Sequence, residues 1–353
     1  MADSKNIYGS KKAAGKTGPF FEQLESKVAE LKQSAGTSPK IYKLQVAGHV
    51  LQLCFLNTDM DENYAASLRY VLLNTTQEPD DIFYIWSDCI DNYVPEDICH
   101  SSRRWLYQGD EATITGSSEY GYISARRHDT NITYLCMSND NAYGSLLTSH
   151  PFVNEMNWWA RAHRLFLVHS AAVGMDGKGV LISAVGGSGK TTLALACMLL
   201  GLDYVADDYL LLDQAKSHMA YPIYSTAYML PDSLELLPQL KKSALCSNNE
   251  KQNKTLIDLS PYFSQFVPSM DIKAIVLPSV SDNPAPSIEN IPSTQPMIQM
   301  VYSTAIQNRE EKNPSFIREL FACVKGLPTY KISLSRDVFE NARLIKQLLS
   351  ELQ

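Results

Sequence analysis

The sequence lacks long apolar segments, since no apolar run reaches the ~18 residues that a membrane-spanning helix needs. The N-terminal residues are polar and lack the apolar core of a secretory signal. The seven cysteines are scattered, and no two form a Cys-x-x-Cys pair, so neither a disulfide framework nor a cysteine-based metal site is expected. We therefore expect a cytoplasmic protein with reduced thiols and no membrane partner.

Positive charge is also in short supply. Lys and Arg number 31 against 38 Asp and Glu, which gives a formal net charge of −7. An acidic chain is a poor general binder of nucleic acid, because phosphate contacts need clustered Lys and Arg. His49, His100, His128 and His150 lack metal-like spacing, so we expect them to be structural or surface residues. The sequence thus indicates no nucleic-acid partner, and it leaves a homo-oligomer open.

The length of 353 residues and the hydrophobic content of 45% indicate two folded domains rather than a disordered chain. We predict a flexible tail and short helix over 1–38, a smaller β-rich or α+β domain over 39–154, and an α/β nucleotide-binding domain over 155–353. The motifs described below leave the 39–154 region no catalytic part, so we expect it to shape substrate recognition.

Hydrophobic periodicity predicts the individual elements. In the N-terminal half we predict helices at 20–31 and 62–73, and strands at 41–56 (two, with a turn near Gly48), 81–86, 112–115, 120–124 and 131–137. In the C-terminal half we predict helices at 154–167, 192–200, 318–325 and 336–352, strands at 168–173, 204–206, 271–280 and 329–334, a turn at 174–179 and an exposed loop at 281–296.

A glycine-rich segment follows the apolar run Gly179-Val180-Leu181-Ile182 and precedes an apolar helix. This order of strand, turn and helix is the context of a phosphate-binding loop. Glycines let the backbone approach a ligand, and the helix N-terminus favours an anion. The predicted nucleotide-binding residues are Val185, Gly186, Gly187, Ser188, Gly189, Lys190, Thr191 and Thr192. The motif assigns the β/γ-phosphates to Lys190 and Mg²⁺ to the Thr191 hydroxyl, although Ala184 stands where the pattern has glycine.

Two adjacent carboxylates, Asp207 and Asp208, follow the next predicted strand. Side chains of adjacent residues in an extended segment point to opposite sides, so one can face a metal and the other an acceptor hydroxyl as general base. Asp213 also ends an apolar run and is a rival metal-binding carboxylate. His169 lies on the strand before the loop. Lys254 and Arg336 are further candidate cations for a triphosphate, although a surface charge is the simpler interpretation of each.

The stretch from His169 to Asp208 resembles the catalytic domain of bacterial HPr kinase/phosphorylase, whose domain is related to phosphoenolpyruvate carboxykinases. The resemblance is carried by the histidine, the loop Gly187-Ser188-Gly189-Lys190-Thr191-Thr192 and the segment Val205-Ala206-Asp207-Asp208, in the same order and spacing. It covers about forty residues of the 353 strongly and the later region only loosely. It implies an HPr-kinase-like P-loop kinase domain that uses ATP and Mg²⁺.

The resemblance also implies roles for the site residues. Asp207 would be the base towards a serine hydroxyl, Asp208 would support the metal together with Thr191, and His169 would lie beside them. Ala184, Thr191 and Thr192 stand where the family has Gly, Ser and often Glu, and the family's later glutamate- and arginine-glycine-bearing signature is not visible after residue 213. These departures indicate the broader HPr-kinase-like group, which includes lasso-peptide tailoring kinases, rather than HPr kinase itself.

We therefore predict a kinase that transfers a phosphoryl group to a hydroxyl, here of serine, on a peptide, a protein or a small molecule. Two alternatives stay open. One is a nucleotide-binding regulatory module without transfer activity, and the other is an ordinary P-loop ATPase with Asp213 as its metal-binding carboxylate.

Overall fold

The structure is a computed structural model, which describes residues 17–34, 38–58, 61–93, 104–138, 150–183, 187–216, 218–245, 254–291, 294–308 and 313–352. The chain forms two compact units. One takes in the described parts of Met1–Ala65 and Leu72–Thr148, and the other those of Ala66–Val71 and Ser149–Gln353. The predicted tail at 1–16 lies outside the described residues. None of the described helices is long and apolar enough to cross a membrane.

The first unit is built on one eight-stranded mixed sheet. Its helices are α1 (Gly18–Gln33) and the start of α2 (Asp61–Leu68), and its strands are β1 (Lys40–Val46), β2 (His49–Leu56), β3 (Leu72–Leu73), β4 (Asp81–Ser87), β5 (Arg104–Gln108), β6 (Ala112–Ser117), β7 (Tyr122–Arg127) and β8 (Ile132–Met137). The strand order is β3-β1-β2-β4-β8-β7-β6-β5, with β2, β4 and β8 parallel in the centre.

The apolar face of α1 packs on this sheet. Its buried side chains recur at the helical period, as in Phe20, Leu24, Val28 and Leu31, and they join one core with residues of the central strands. A buried ion pair between Arg126 on β7 and Asp81 on β4 spans 2.6 Å. Among the described residues, the apolar cluster under α1 and this buried charge pair both stabilise the first unit.

The second unit is built on a larger mixed sheet with helices on both faces. Its helices are α3 (Val153–Ala162), α4 (Lys190–Leu199), α5 (Pro231–Leu236), α6 (Gln295–Gln307), α7 (Pro314–Val324) and α8 (Val338–Glu351). Its strands are β9 (Leu165–His169), β10 (Ala171–Met175), β11 (Lys178–Ile182), β12 (Asp203–Ala206), β13 (Tyr209–Asp213), β14 (Met219–Tyr221), β15 (Thr226–Met229), β16 (Ala244–Leu245), β17 (Thr255–Asp258), β18 (Met270–Val280), β19 (Ser287–Asn290) and β20 (Thr329–Leu334).

The main sheet has the order β12-β10-β11-β18-β14-β13-β9. Strands β11, β18 and β20 are parallel, and β14 and β20 pair with opposite ends of the long β18. Helices α4 and α8 pack on one face of the sheet and α6 and α7 on the other, so each face has its own apolar core. A small separate sheet has the order β15-β17-β16. The chain is thus a mixed α/β protein with several mixed sheets.

Several predicted elements are confirmed, and others need correction. The predicted strand at 329–334 is β20, and the helices at 192–200 and 336–352 correspond to α4 and α8. The predicted helix at 154–167 is too long, because Arg164 has φ 58° and ends it before β9. The predicted single strand at 168–173 is two strands that meet at Ser170. The turn predicted at 174–179 narrows to residues 176–177.

The largest correction concerns 281–307. The predicted loop at 281–296 contains β19, and it is followed by α6, a helix that the sequence analysis did not predict. The predicted helix at 62–73 ends as α2 at Leu68 and continues as a 3₁₀ turn before β3. In α6 the buried positions do recur with a helical period, but the exposed positions Ile298, Tyr302 and Ile306 are apolar too, which hides that period in the sequence.

Candidate functional site

Two tight turns place His169 beside Asp208. At the first, Ser170 N donates to Val168 O over 3.0 Å, and the chain passes from β9 to β10. At the second, Tyr209 N donates to Asp207 O over 2.8 Å, and the chain passes from β12 to β13. Because β9 pairs with β13 and β10 with β12, the two turns lie next to each other.

Asp208 is the central residue of the second turn and has φ 65°. A non-glycine residue in this left-handed region is uncommon, and such strain concentrates at functional sites. The turn sends the two neighbouring carboxylates to different partners. Asp208 Oδ1 lies 3.6 Å from His169 Nε2, whereas Asp207 Oδ1 accepts a 3.1 Å hydrogen bond from Thr191 Oγ1. The two carboxylates thus have different partners, and both also lie within 4.0 Å of Lys190 Nζ.

Helix α4 supplies the facing groups from its first turn. Lys190 Nζ forms a short ion pair with Asp208 Oδ1 and lies 4.0 Å from Asp207 Oδ1. The Lys190 side chain is only 9% exposed, so its charge acts in a low-dielectric setting where both carboxylates are close. The next residue is Thr191. Two consecutive residues of the helix therefore contact two consecutive residues of the turn.

Gly189 determines how closely this helix start approaches the sheet. Its φ is 91°, and a Cβ placed there would lie 2.5 Å from Leu334 Cδ1 at the end of β20. Gly187 has φ 84°, also in the left-handed region. The first N–H groups of a helix have no acceptor within the helix, so the start of α4 is suited to an anion.

Burial and nearby charges shift the pKa values of the two carboxyl groups in opposite directions. Burial, with the nearby charge of Asp208, raises the pKa of Asp207 to about 7, against the lowering effect of Lys190 and Thr191. Burial also acts to raise the pKa of Asp208, but the Lys190 ammonium and the contact with His169 outweigh it and hold that pKa well below its usual range. The pair carries one readily protonated and one firmly ionised carboxyl group.

Aromatic rings enclose the site beside His169. The rings of His150 and Tyr209 lie 5.0 Å apart, those of His150 and Tyr224 also 5.0 Å, and those of His169 and Tyr209 5.6 Å. Burial lowers the pKa of His150 to about 4, so this ring is neutral at physiological pH. A neutral His150 and two tyrosine rings therefore lie together beside His169.

The structure brings together five of the predicted site residues, His169, Lys190, Thr191, Asp207 and Asp208. Gly187, Ser188, Gly189 and Thr192 lie in the same turn and first helical turn, while Ala184, Val185 and Gly186 lie outside the described residues. The glycine-rich loop itself thus stays a prediction, although the strand before it and the helix after it are both present.

Asp213 is separated from this group. It lies at the far end of β13, four residues and roughly 13 Å from Tyr209. Its Oδ1 accepts hydrogen bonds from the backbone N–H groups of Ala215 and Lys216, at 2.7 and 2.9 Å, so it stabilises a turn. This position favours the Asp207–Asp208 pair over Asp213. Arg336 is exposed two residues beyond Leu334, and Lys254 is close enough to contribute to the lowered pKa of His150.

Helix α6 contributes two residues that the sequence analysis missed. Ser303 Oγ lies 2.7 Å from His169 Nδ1, and Thr304 Oγ1 accepts a 3.0 Å hydrogen bond from His169 N. Their separation from His169 along the chain, 134 and 135 residues, hides this contact from any sequence motif. No local signal in the sequence marks them.

Comparison with protein-family models finds no match, and comparison with curated proteins finds none either. Among solved structures, the chain is similar to the Hpr(Ser) kinase/phosphatase from Coxiella burnetii, with 15% sequence identity and a TM-score of 0.26. The similarity covers 52% of this chain and 98% of that one.

Proposed function

We propose that this protein is an ATP- and Mg²⁺-dependent kinase of the HPr-kinase-like type, which transfers a phosphoryl group to a hydroxyl. One observation carries the proposal. Lys190 and Thr191, at the start of a helix that follows a strand and a glycine-bearing turn, each contact a different carboxylate of the Asp207–Asp208 pair. Phosphoryl transfer needs a phosphate cradle, a cation and a positioned acceptor, and these residues can supply all three.

Lys190 Nζ forms an ion pair with Asp208 Oδ1. A triphosphate at the start of α4 would compete for the Lys190 ammonium, because phosphate oxygens offer it two or more negative charges in place of one. Release of Lys190 would remove the main influence that holds the pKa of Asp208 low. Nucleotide binding would therefore make Asp208 more basic at the moment when an acceptor hydroxyl has to lose its proton.

Thr191 and Asp207 are suited to hold Mg²⁺. Asp207 Oδ2 is buried and, within the described part of the chain, has no hydrogen-bond partner, which is costly unless a cation or donor joins it. Among the described residues no group of three His, Cys, Asp or Glu could hold a metal, so nucleotide phosphates and water would complete the shell, as Mg²⁺ prefers. When bound, Mg²⁺ would offset charge on the phosphates.

The contacts favour an exchange of the two aspartate roles that the family resemblance implies. The Asp207 side chain is 1% exposed and contacts the threonine of the predicted metal site, whereas the Asp208 side chain is 22% exposed and contacts His169. The pKa of Asp207 is nearer to 7, which would suit a general base. A general base must first be within reach of the acceptor hydroxyl, however, so its position matters before its pKa. We therefore assign Asp207 to the metal and Asp208 to the acceptor hydroxyl.

The proposed acceptor, a serine hydroxyl, is taken from the sequence resemblance. The HPr-kinase-like group includes serine kinases that act on peptides and on small molecules. A serine hydroxyl is a neutral acceptor that gives up one proton, and a single accessible carboxylate beside a histidine can take it. A nucleotide-binding regulatory module would keep the same cradle but would not turn ATP over.

The test is turnover of γ-phosphate-labelled ATP by the full chain with Mg²⁺, in the presence of serine-containing peptides and of free serine. Label in an acceptor supports the kinase. Release of inorganic phosphate alone supports an ATPase. Nucleotide binding without loss of the γ-phosphate supports the regulatory module. Lys190→Ala should abolish turnover, and Lys178→Ala, at an exposed lysine of β11, is the matched control.

A further inference from the structure

Helix α6 contacts His169 through two consecutive hydroxyl side chains. Thr304 is fully buried and binds the backbone N–H of His169, while Ser303 lies 2.7 Å from the ring nitrogen Nδ1. The first contact fixes the backbone at the end of β9, and the second fixes the ring. These contacts determine where the opposite nitrogen, Nε2, points.

The donors and acceptors of His169, Ser303 and Asp208 indicate which ring nitrogen of a neutral His169 carries the proton. Asp208 Oδ1 forms an ion pair with the Lys190 ammonium, so this carboxylate oxygen can only accept a hydrogen bond. Its Oδ1 lies 3.6 Å from His169 Nε2, so a proton on Nε2 is attracted to it, whereas a lone pair would be repelled. A neutral imidazole with its proton on Nε2 has an acceptor at Nδ1, and the hydroxyl of Ser303 can then donate to it.

We infer that Ser303 is a positioning residue that holds the neutral His169 ring with its Nε2–H directed at Asp208. The opposite arrangement, in which Nδ1–H donates to Ser303, would turn the Nε2 lone pair towards the carboxylate. The consequence for catalysis rests on the proposed function, because it assumes that Asp208 receives the acceptor proton. The structural part concerns only His169, Ser303 and Asp208, so it can be tested without nucleotide.

The first experiment measures the ¹⁵N chemical shifts of both His169 ring nitrogens in the full-length protein, labelled at histidine. The signals are assigned by their loss in His169→Gln, at an alkaline pH where a histidine ring is neutral. The wild type should show a protonated Nε2 and an Nδ1 that accepts a hydrogen bond. Ser303→Ala should move the Nδ1 signal towards that of a free acceptor, and Ser303→Thr should restore it.

The second experiment measures ATP turnover with Mg²⁺. Ser303→Ala should lower kcat by about two- to tenfold, the worth of one hydrogen bond, and should leave the KM for ATP unchanged. Ser303→Thr should recover the rate. Ser315→Ala, the same substitution at an exposed position of α7, is the control and should match the wild type.

A neutral wild-type His169 ring that carries its proton on Nδ1 would overturn the inference. An Nδ1 signal that Ser303→Ala leaves unchanged would overturn it too. If the ring signals behave as expected but no variant turns ATP over, the positioning stands and the proposed kinase function falls. A fall in turnover in Ser303→Ala without any change in the ring signals would instead refute the positioning and leave the kinase in place.

Discussion

Replacement of each aspartate of the pair by asparagine separates the two proposed roles. The substitution keeps the shape of the side chain and removes its charge and its basicity. Asp207→Asn removes the carboxylate that contacts Thr191, and Asp208→Asn removes the carboxylate that contacts His169 and Lys190. The two variants should therefore fail in different ways.

The contacts set the size of each effect. An interaction with a charged group is worth about 1.5–3 kcal/mol, so Asp207→Asn should raise the Mg²⁺ concentration for half-maximal ATP turnover by about ten- to a hundredfold. Asp208→Asn should lower the maximal rate by roughly 10²–10⁴, the usual contribution of general base catalysis, with little change in the Mg²⁺ requirement. Its nucleotide affinity should not fall, since it frees Lys190 for the phosphates.

The assay is a Mg²⁺ titration of single-turnover ATP consumption for both variants. Asp213→Asn is the matched control, because an amide oxygen can still accept the hydrogen bonds from Ala215 and Lys216. A raised Mg²⁺ requirement in Asp208→Asn alone would restore the assignment implied by the family resemblance. Identical metal dependence in the two variants would refute any division of labour, and wild-type rates in both would remove the site from this pair.

Three further predictions concern the stability of the protein. Gly189→Ala should lower the free energy of unfolding by about 1–3 kcal/mol, because its φ is left-handed, and should also weaken ATP binding. Gly201→Ala, at φ 88° with no atom near its Cβ, should show a similar loss of stability without a loss of ATP affinity, and equal ATP affinities of the two variants would contradict this. Asp81→Asn should cost about 3–5 kcal/mol in urea unfolding by leaving Arg126 buried and unpaired, and a loss below about 1 kcal/mol would contradict it. Folding raises the pKa of Asp207 to about 7, so the free energy of unfolding of the nucleotide-free wild type should fall, relative to that of Asp207→Asn, by up to about 4 kcal/mol as the pH rises from about 4 to 7. Parallel plots of unfolding free energy against pH for the two proteins would contradict this.

The order of the residues around Lys190 predicts a strand, a turn and a helix, and the structure has that strand and that helix. The apolar strand at 179–182, the glycines and the apolar helix that begins near Lys190 follow one another without interruption. The adjacency of Asp207 and Asp208 predicts two directions for two carboxylates. The sequence does not show which one meets Thr191, because that depends on the turn centred on Asp208 and its positive φ.

Helix α6 could not be predicted for a physical reason. Its sequence, QPMIQMVYSTAIQ, has no charged residue, and its polar side chains form only a narrow stripe at Gln295, Gln299, Ser303 and Gln307. Its exposed side includes Ile298, Tyr302 and Ile306, which blurs the helical period further. Pro296 near its start also indicates a loop until the structure shows it in the first helical turn, where proline is tolerated. The contact of Ser303 with His169 was hidden as a result.

The proposed function requires that the start of α4 binds a nucleotide through Lys190. Titration calorimetry of ATP with Mg²⁺ into the full-length protein tests it most directly, with Lys190→Ala and the exposed control Lys178→Ala in parallel. We expect the wild type and the control to bind ATP equally. Lys190→Ala should bind ATP at least about tenfold more weakly, because it loses a charged contact with phosphate. No binding of ATP, ADP or GTP by the wild type, or equal binding by Lys190→Ala, would contradict it.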